Sequence, residues 1–283
     1  MKPNFLVIGA AKAATTSLCE LLGQHPDVFL CKPKEPHFFS IEAVYQRGWA
    51  WYESLFENAQ GCAAVGEGST SYSMTGVWPE TVPRIMRHLD APRIIYSVRE
   101  PFSRVESGWM QSRHSANPVA LPSFTRSLRE SPNFLDESLY WKQISAYRRC
   151  IPDDRILIVF FEDFIRDPHA VLRRCFEFLG VDPDFEAPDA HRARKSSADY
   201  RVDRLALTAL RRFPLFERAR RWVPHGLRPW LIRTLRSPLA GRPQWDEDTR
   251  QWFARQIADD IRTFLEYYGK RRDYWNLEIG ESE

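Results

Sequence analysis

The stretch Phe5–Leu22, FLVIGAAKAATTSLCELL, decides the fold. Its opening FLVIG is a short apolar run that ends in glycine, which predicts a buried strand. Leu18, Leu21 and Leu22 recur at helical spacing, so the run Thr16–Leu22 is predicted to be a helix. The chain therefore begins with a strand, a loop of small residues and a helix.

The same alternation of strand and helix continues along the chain. Strands are predicted at Arg93–Val98 and Arg155–Phe160, where β-branched and aromatic residues are concentrated. Helices are predicted at Pro79–Leu89, Pro101–Ser112, Leu135–Arg149 and Pro168–Leu179. Near-continuous apolar strands separated by helices are typical of a parallel sheet buried on both faces. We predict a three-layer, P-loop-like α/β fold with a central parallel sheet flanked by helices.

Composition indicates one globular domain over residues 1–283. Of the 283 residues, 43% are hydrophobic and 27% are charged, which excludes an intrinsically disordered chain. We expect 1–182 to form the α/β core and 183–283 a basic, helical cap, with helices at Asp203–Arg212 and Asp246–Tyr268. Arg and Lys far outnumber Asp and Glu over 192–242, although the net charge is only +3, so this region is expected to face something anionic.

Several features favour a soluble, cytoplasmic protein whose membrane contact is at most peripheral. No secretory signal is apparent at the amino terminus, and no apolar run approaches the roughly 18 residues of a spanning helix. The cysteines show no C-x-x-C spacing and are expected to be reduced thiols; they are Cys19, Cys31, Cys62, Cys150 and Cys175. The sequence leaves the oligomeric state open.

The loop between the first strand and first helix is predicted to bind phosphate. Backbone N–H groups and the positive end of a helix dipole converge on an anion at such a position. Lys12 adds positive charge, and the small residues around it let an anion approach the backbone. Further donors come from the hydroxyls of Thr15, Thr16 and Ser17.

This loop departs from the pattern of nucleotide triphosphatases. A G-x-x-x-x-G-K-[ST] loop counted from Gly9 needs glycine at 14, lysine at 15 and a hydroxyl at 16, and only Thr16 fits. The pattern favours a nucleotide whose transfer chemistry needs no metal. The alternative is a lysine in an ordinary turn between strand and helix.

The loop and its continuation over 9–39, GAAKAATTSLCELLGQHPDVFLCKPKEPHFF, resemble a known family. PAPS-dependent sulfotransferases of the heparan sulfate type and their bacterial relatives share the pattern K-x-G-T-T-S-L, then HP, then KE-x-HFF. PAPS is 3′-phosphoadenosine 5′-phosphosulfate. The resemblance implies that Lys12 contacts the oxygen bridging phosphate and sulfate. It also implies that the 5′-phosphate is cradled by Ala13, Ala14, Thr15, Thr16 and Ser17.

One residue of the loop differs from the family pattern. The usual glycine is Ala14 here. If that position needs a positive φ, alanine costs on the order of 1 kcal/mol.

A second phosphate site is predicted where the strand Arg93–Val98 ends. Ligands bind at this edge of doubly wound sheets, and Arg99 can direct two donors at one phosphate. The stretch resembles the same family's R-x-P-x-x-R-x-x-S motif, which implies that Arg99 and Ser107 hold the 3′-phosphate. The alternative is an arginine that caps a sheet edge and a serine on a solvated helix face.

The segment Lys34–Phe39, KEPHFF, carries the candidate base. Pro36 favours an extended Glu35, and in an extended segment Glu35 and His37 project to the same side. The resemblance implies that Glu35 takes the acceptor's proton and that His37 orients it or touches the acceptor. The alternative is that Glu35 pairs with a neighbouring lysine at the surface and that His37 packs in the core.

Three further stretches are similar to the family. Gly66–Tyr72 resembles its GE-x-S-x-x-Y stretch near the acceptor cleft, and Phe161–Phe164 resembles a later strand end. His191–Ser196 stands where relatives carry a basic loop that closes over the nucleotide. By that resemblance Arg194 and Lys195 contact the nucleotide.

The resemblance implies a sulfotransferase that moves a sulfuryl group from PAPS to a hydroxyl or amine of a carbohydrate, lipid or other small molecule. Its catalytic residues are Lys12, Glu35 and His37, and no metal ligand is assigned. A metal-dependent nucleotide kinase and a nucleotide-binding regulatory module are the competing interpretations. Nucleic acid is not expected as a partner, because nucleic-acid binding leaves Lys12, Glu35 and Arg99 without a purpose.

Overall fold

A computed structural model of the chain describes residues 1–115, 117, 120–190 and 242–277, together with the backbone of 201–203 and 236–238. Within these ranges no helix has both the length and the apolar character needed to cross a bilayer.

A five-stranded parallel sheet forms the centre of the molecule. The strands are β1 (Phe5–Gly9), β2 (Val28–Leu30), β3 (Ala64–Gly68), β4 (Arg93–Val98) and β5 (Ile156–Phe160). Their order in the sheet is β2-β3-β1-β4-β5, with every neighbouring pair parallel. From β1 the chain moves to β2 at one edge of the sheet, and after β3 it crosses β1 to reach β4. The chain therefore adds strands in opposite directions on the two sides of β1. Ligands bind at such a point, beyond the carboxyl ends of the strands.

The helices cover both faces of the sheet. They are α1 (Thr15–Leu22), α2 (Glu42–Tyr45), α3 (Trp49–Ser54), α4 (Thr81–His88), α5 (Pro101–His114), α6 (Phe124–Glu130), α7 (Pro132–Asp136), α8 (Tyr140–Arg148), α9 (Phe161–Arg166), α10 (Pro168–Leu179) and α11 (Glu247–Tyr267). A 3₁₀ turn, Thr70–Ser73, follows β3. The predicted three-layer α/β class is confirmed.

Alternate strand residues face two separate hydrophobic cores. Phe5 and Val7 of β1 pack with the leucines of α1 and with α10 on one face. Leu6 and Ile8 pack on the other face, in the core that includes α4, α5, α8 and α11. Because side chains alternate across a strand, a sheet buried on both faces must be apolar at nearly every position, as FLVI is.

The predicted helix Leu135–Arg149 is wrong as a single element, because the chain forms α7 and α8 instead. The Asp260 carboxylate of α11 accepts hydrogen bonds from the N–H groups of Trp141 and Lys142 at 2.9 and 2.8 Å. These bonds satisfy donors that a helix N-terminus leaves open, so a new helix begins at Tyr140.

The division of the chain at residue 182 stays a prediction. α11 packs into the main core through Phe253, Ile257 and Ile261, so this helix forms part of the layer beside the sheet. Two short strands, Arg201–Asp203 and Arg236–Pro238, pair antiparallel. Beyond Asp203 the predicted helix Asp203–Arg212 lies outside the described residues.

Candidate active site

The loop after β1 presents an open helix N-terminus. Ala14 stands at the N-cap of α1 with φ 61° and ψ 23°, and no side chain there accepts the first N–H groups of the helix. These N–H groups, of Thr15, Thr16 and Ser17, are the donors predicted to hold a phosphate. Neighbouring backbone is fixed by Ser97 of β4, whose Oγ donates to the Ala13 carbonyl at 2.5 Å. Ala14 therefore does adopt the positive φ for which glycine is suited.

Lys12 and Arg99 lie next to each other, each just after the end of its strand. Lys12, also left-handed with φ 70°, is half-buried. Arg99 Nη1 donates to the Lys12 carbonyl oxygen at 3.3 Å. The structure thus brings the two predicted phosphate sites together, although Lys12 and Arg99 are 87 residues apart in sequence.

Arg99 is held in a partly desolvated position at the end of β4. Its guanidinium lies 4.4 Å from the centre of the Phe161 ring, and the Tyr140 hydroxyl donates to its carbonyl oxygen at 2.6 Å. Burial lowers the pKa of Arg99, against the opposing effect of Glu162. Such a guanidinium stays charged and is weakly hydrated, which suits phosphate binding.

The N-terminus of α5, unlike that of α1, is closed. The Glu100 carboxylate accepts hydrogen bonds from the N–H groups of Phe102 and Ser103 at 2.8 and 2.7 Å. An anion at this end of α5 would therefore be bound by side chains and not by these backbone N–H groups. Ser107, predicted to help Arg99 with the 3′-phosphate, is half-buried two turns into α5.

The second arginine of the motif, Arg104, is structural. Its side chain is fully buried, and Nη1 donates to Glu137 Oε2 at 2.7 Å. Nη2 donates to the Phe134 carbonyl at 2.9 Å and to Ser138 Oγ at 2.7 Å. Arg104 therefore ties α5 to the loop after α7.

Glu35 and His37 face each other, as predicted, but not for the predicted reason. His37 Nε2 lies 3.4 Å from Glu35 Oε2. The expected extended conformation is wrong, because φ is 61° at Glu35 and 56° at His37. Hydrogen bonds from Glu35 N to the Gly68 carbonyl and from His37 N to Ser69 Oγ fix this backbone and override the preference of a residue before proline.

The Glu35 carboxylate is supplied with donors. Oε2 accepts from the Thr70 N–H at 3.2 Å and from Thr70 Oγ1 at 2.7 Å, and Lys34 Nζ lies 3.2 Å from Oε1. Burial raises the pKa of Glu35, but Lys34, Thr70 and His37 together outweigh burial and lower it. Glu35 is therefore ionised at neutral pH and able to accept a proton.

His37 is held through its other ring nitrogen. Nδ1 lies 2.7 Å from Ser71 Oγ, which in turn lies 2.6 Å from Ser40 Oγ. Burial, with Lys34, lowers the pKa of His37, although Glu35 acts in the opposite direction. A neutral imidazole beside an ionised carboxylate results.

Gly9 brings the predicted phosphate-binding loop close to the turn that contacts the predicted base, Glu35. A Cβ at Gly9 would stand 2.1 Å from Ser73 Oγ and 3.2 Å from the Thr70 carbonyl oxygen, and its φ is +146°. Only glycine permits this close approach. Because Thr70 also holds Glu35, the loop and the base are anchored to the same 3₁₀ turn.

The alternative interpretation, in which Glu35 pairs with a neighbouring lysine at the surface, is confirmed only in part. Glu35 does pair with Lys34, but the two side chains are 28% and 22% exposed, so the pair is not at the open surface. Sequence reasoning named a neighbouring lysine as a partner of Glu35 but missed Thr70. The GE-x-S-x-x-Y resemblance contained the signal, since Thr70 lies inside that stretch.

Two predicted nucleotide contacts, Arg194 and Lys195, lie outside the described residues. Among the residues that are described, no group of three or more His, Cys, Asp or Glu side chains is arranged to hold a metal ion.

Sulfotransferases from mouse and human are similar in sequence to part of this chain. Mouse heparan sulfate glucosamine 3-O-sulfotransferase 3B1 is 31% identical over 188 residues, which are 63% of this chain and 46% of the mouse protein. Human heparan sulfate glucosamine 3-O-sulfotransferase 6 is 32% identical over 189 residues, 63% of this chain and 52% of the human protein. The chain thus aligns with about half the length of these relatives.

A solved structure and a family profile extend the comparison. The crystal structure of a sulfotransferase from Alicyclobacillus acidocaldarius superposes with a TM-score of 0.68 at 24% identity, covering 97% of this chain and 99% of the other, and shows the same fold. The profile of the family described as "Sulfotransferase domain" matches residues 2–218. Because this match spans more than half of the chain, the chain belongs to the sulfotransferase domain family.

Proposed function

We propose that this protein transfers a sulfuryl group from PAPS to a hydroxyl or amine of an acceptor and releases 3′-phosphoadenosine 5′-phosphate. Family membership supports this activity. The observation that carries the proposal is the open N-terminus of α1, flanked by Lys12 and Arg99 and anchored to the turn that holds Glu35. One edge of the sheet thus offers anion donors and a base together.

In the proposed reaction Glu35 and the anion donors have separate roles. The bond between sulfur and the oxygen bridging it to the 5′-phosphate breaks, a bond between sulfur and the acceptor atom forms, and the acceptor loses a proton. Glu35 is ionised and takes that proton. Lys12 and the N–H groups of α1 stabilise the negative charge that develops on the departing phosphate.

His37 supports the base in two ways. Its Nε2 is close enough to Glu35 to receive the transferred proton, and its Nδ1 contact with Ser71 fixes the ring plane. Proton transfer between neighbouring groups restores the Glu35 carboxylate for the next turnover.

Carbohydrate hydroxyls are the acceptor class to test first. The mammalian relatives are named for 3-O-sulfation of glucosamine in heparan sulfate. Lys34 beside Glu35 supplies positive charge next to the reacting position, which favours an acceptor with anionic groups. Lipids and other small molecules with a hydroxyl or amine are the other classes in the assay.

Transfer of label from ³⁵S-PAPS to an acceptor panel in excess EDTA tests the activity. A sulfotransferase that uses Lys12 and backbone donors for charge stabilisation retains full turnover. The competing phosphoryl transferase needs Mg²⁺ to bridge its phosphates and loses activity. Transfer from γ-labelled ATP that appears only with Mg²⁺ contradicts the proposal.

The variant Glu35→Gln separates an enzyme from a regulatory module that only binds nucleotide. Removing a general base typically costs about 10²-fold to 10⁴-fold in kcat. We expect that loss in the ³⁵S assay, with the affinity for 3′-phosphoadenosine 5′-phosphate unchanged by calorimetry. Glu53→Gln, in α3, is the control. Equal turnover of Glu35→Gln and wild type contradicts the role of Glu35 as the base, whereas nucleotide binding by both proteins without any turnover favours the regulatory module.

A cytoplasmic location remains part of the proposal. The described structure contains five free cysteines and three of them are buried, which suits a reducing compartment. Fractionation of the source cells, with thiol labelling of the unfolded protein, tests this location. Protein found outside the cytoplasm contradicts it.

A further inference from the structure

Glu67 is a buried acid directly beneath the segment that carries the base. It lies in β3, between β1 and β2, and is 1% exposed. Oε1 accepts from the hydroxyls of Tyr72 at 2.5 Å and Tyr52 at 3.2 Å, and Oε2 accepts from Ser69 Oγ at 2.7 Å. Burying a carboxylate is unfavourable, so these three donors are what sustain its charge.

Two of these three hydroxyls also hold the base segment, Lys34–Phe39. Ser69 Oγ accepts from the His37 N–H at 3.0 Å, and the Tyr72 hydroxyl oxygen accepts from the Phe39 N–H at 3.2 Å. A hydroxyl has one proton. While that proton is donated to Glu67, only lone pairs remain for the backbone N–H groups.

We propose that Glu67 is a positioning residue for the base: in its ionised form it orients the Ser69 and Tyr72 hydroxyls so that they hold His37 and Phe39. This hold maintains the left-handed backbone at Glu35 and His37 that brings their side chains together. The inference rests on the proposed function, in which Glu35 takes the acceptor's proton.

Protonation of Glu67 disrupts this arrangement. A protonated carboxyl has an O–H that needs an acceptor of its own. When Ser69 or Tyr72 accepts it, the proton of that hydroxyl loses its partner and must turn towards another group. The hold on the base segment then weakens.

The expected pH range follows from the surroundings of Glu67. Burial raises its pKa to about 7, although Tyr72, Ser69 and Tyr52 act in the opposite direction by hydrogen bonding. The titratable groups that interact with Glu67 are Cys19 of α1, Cys31 after β2, Glu35, Tyr52 of α3, Tyr72 of the 3₁₀ turn, and Tyr147 of α8. The pKa values of Glu35 and His37 are lowered, so neither accounts for a titration near 7. We expect kcat to fall as the pH drops through about 7.

Hydroxyl deletions test the mechanism against a matched control. Ser69→Ala and Tyr72→Phe each remove a hydroxyl that joins Glu67 to the base segment. Tyr52→Phe removes a donor to the same carboxylate but keeps the ring that stacks on Phe38, and the Tyr52 hydroxyl accepts no N–H of the segment Lys34–Phe39. A displaced catalytic group can cost about 10²-fold, so we expect at least about a tenfold loss of kcat for the first two variants and at most about twofold for Tyr52→Phe. The KM for PAPS stays unchanged in all three.

Glu67→Gln provides the pH readout. This variant has no charge to lose, so its reduced kcat no longer falls as the pH passes through 7. A merely structural role lowers stability without removing that limb of the profile. A limb near 7 retained in Glu67→Gln overturns the inference, as does equal loss of kcat in Tyr52→Phe and Tyr72→Phe. If Glu67→Gln does not fold, the comparison of the hydroxyl variants decides.

A spectroscopic measurement separates this inference from the proposed function. In wild-type protein labelled with ¹⁵N-phenylalanine, the Phe39 amide resonance is expected to shift with a midpoint near 7, and Tyr72→Phe is expected to abolish the shift. This holds whether or not sulfuryl transfer is observed. Transfer by the wild type without the amide titration overturns only the positioning role, and titration without transfer overturns only the proposed function.

Discussion

Ala14 occupies a backbone conformation that glycine adopts more easily. Its φ of 61° is left-handed, which costs a non-glycine residue about 1 to 2 kcal/mol. Ala14→Gly removes that strain but makes the unfolded chain more flexible, which costs about 0.4 to 1 kcal/mol. We expect the free energy of unfolding in urea to rise by up to about 1 kcal/mol.

The neighbouring Ala13 is the control for this change. It is fully buried and is not among the residues with positive φ. Ala13→Gly is expected to lower the free energy of unfolding by roughly 0.5 to 1 kcal/mol. If Ala14→Gly destabilises the protein as much as Ala13→Gly does, the left-handed strain at Ala14 is absent.

Lys12 is expected to act in the chemical step. Loss of one donor that stabilises charge in a transition state typically costs about 10²-fold to 10³-fold in kcat. We expect a loss of this size for Lys12→Ala with ³⁵S-PAPS, whereas Lys2→Ala, at the opposite end of β1, leaves kcat unchanged. Lys12→Ala with more than about a tenth of wild-type kcat contradicts this role.

Residue types were easier to predict than residue conformations. Glu35 and His37 were predicted to share a site because an extended segment projects both side chains to the same side, and the structure places them 3.4 Å apart. The conformation was wrong, since contacts with Gly68 and Ser69, distant in sequence, determine it. Glu67 lies in the stretch that resembles the family's GE-x-S-x-x-Y pattern, but a glutamate in a short glycine-containing run does not reveal its burial.

At the scale of elements, the N-termini of α1 and α5 differ in whether a side chain accepts hydrogen bonds from their first N–H groups. α1 begins at Ala14 with no side-chain cap, so its first N–H groups remain available to a ligand. α5 begins after Glu100, which takes up its first N–H groups. We therefore expect the 5′-phosphate to bind at α1 and the 3′-phosphate to bind the Arg99 side chain.

The two arginines of the R-x-P-x-x-R-x-x-S motif are expected to give opposite phenotypes. Breaking a buried ion pair by removing one partner costs about 3 to 5 kcal/mol, so Arg104→Ala lowers the free energy of unfolding by that amount. Arg99→Ala weakens 3′-phosphoadenosine 5′-phosphate binding in calorimetry and changes unfolding little. Each variant is the control for the other. A stable Arg104→Ala protein with weakened nucleotide binding contradicts this division.

Elements with a strong apolar period were predictable, and short ones were not. β1, β4, α1 and α10 match the sequence prediction to within a residue. β2 has three residues and β3 reads AVGEG, so neither shows a clear strand pattern. The break between α7 and α8 depends on Asp260, far along the chain, and no local signal marks it.

At the scale of the whole molecule, the topology creates the site. β1 lies at the centre of the sheet, so the loop after it is flanked by the ends of β3 and β4. These ends carry Thr70 with Glu35 on one side and Arg99 on the other. The sequence predicted a parallel sheet, but the strand order depends on contacts distant in sequence.

The central claim is that the loop after β1, with Arg99, holds a doubly phosphorylated adenosine. A crystal structure with 3′-phosphoadenosine 5′-phosphate, grown in EDTA, tests it most directly. We predict the 5′-phosphate on the N–H groups of Thr15, Thr16 and Ser17 and the 3′-phosphate on Arg99. A nucleotide bound elsewhere, or a loop that remains empty at saturating nucleotide, would contradict the account.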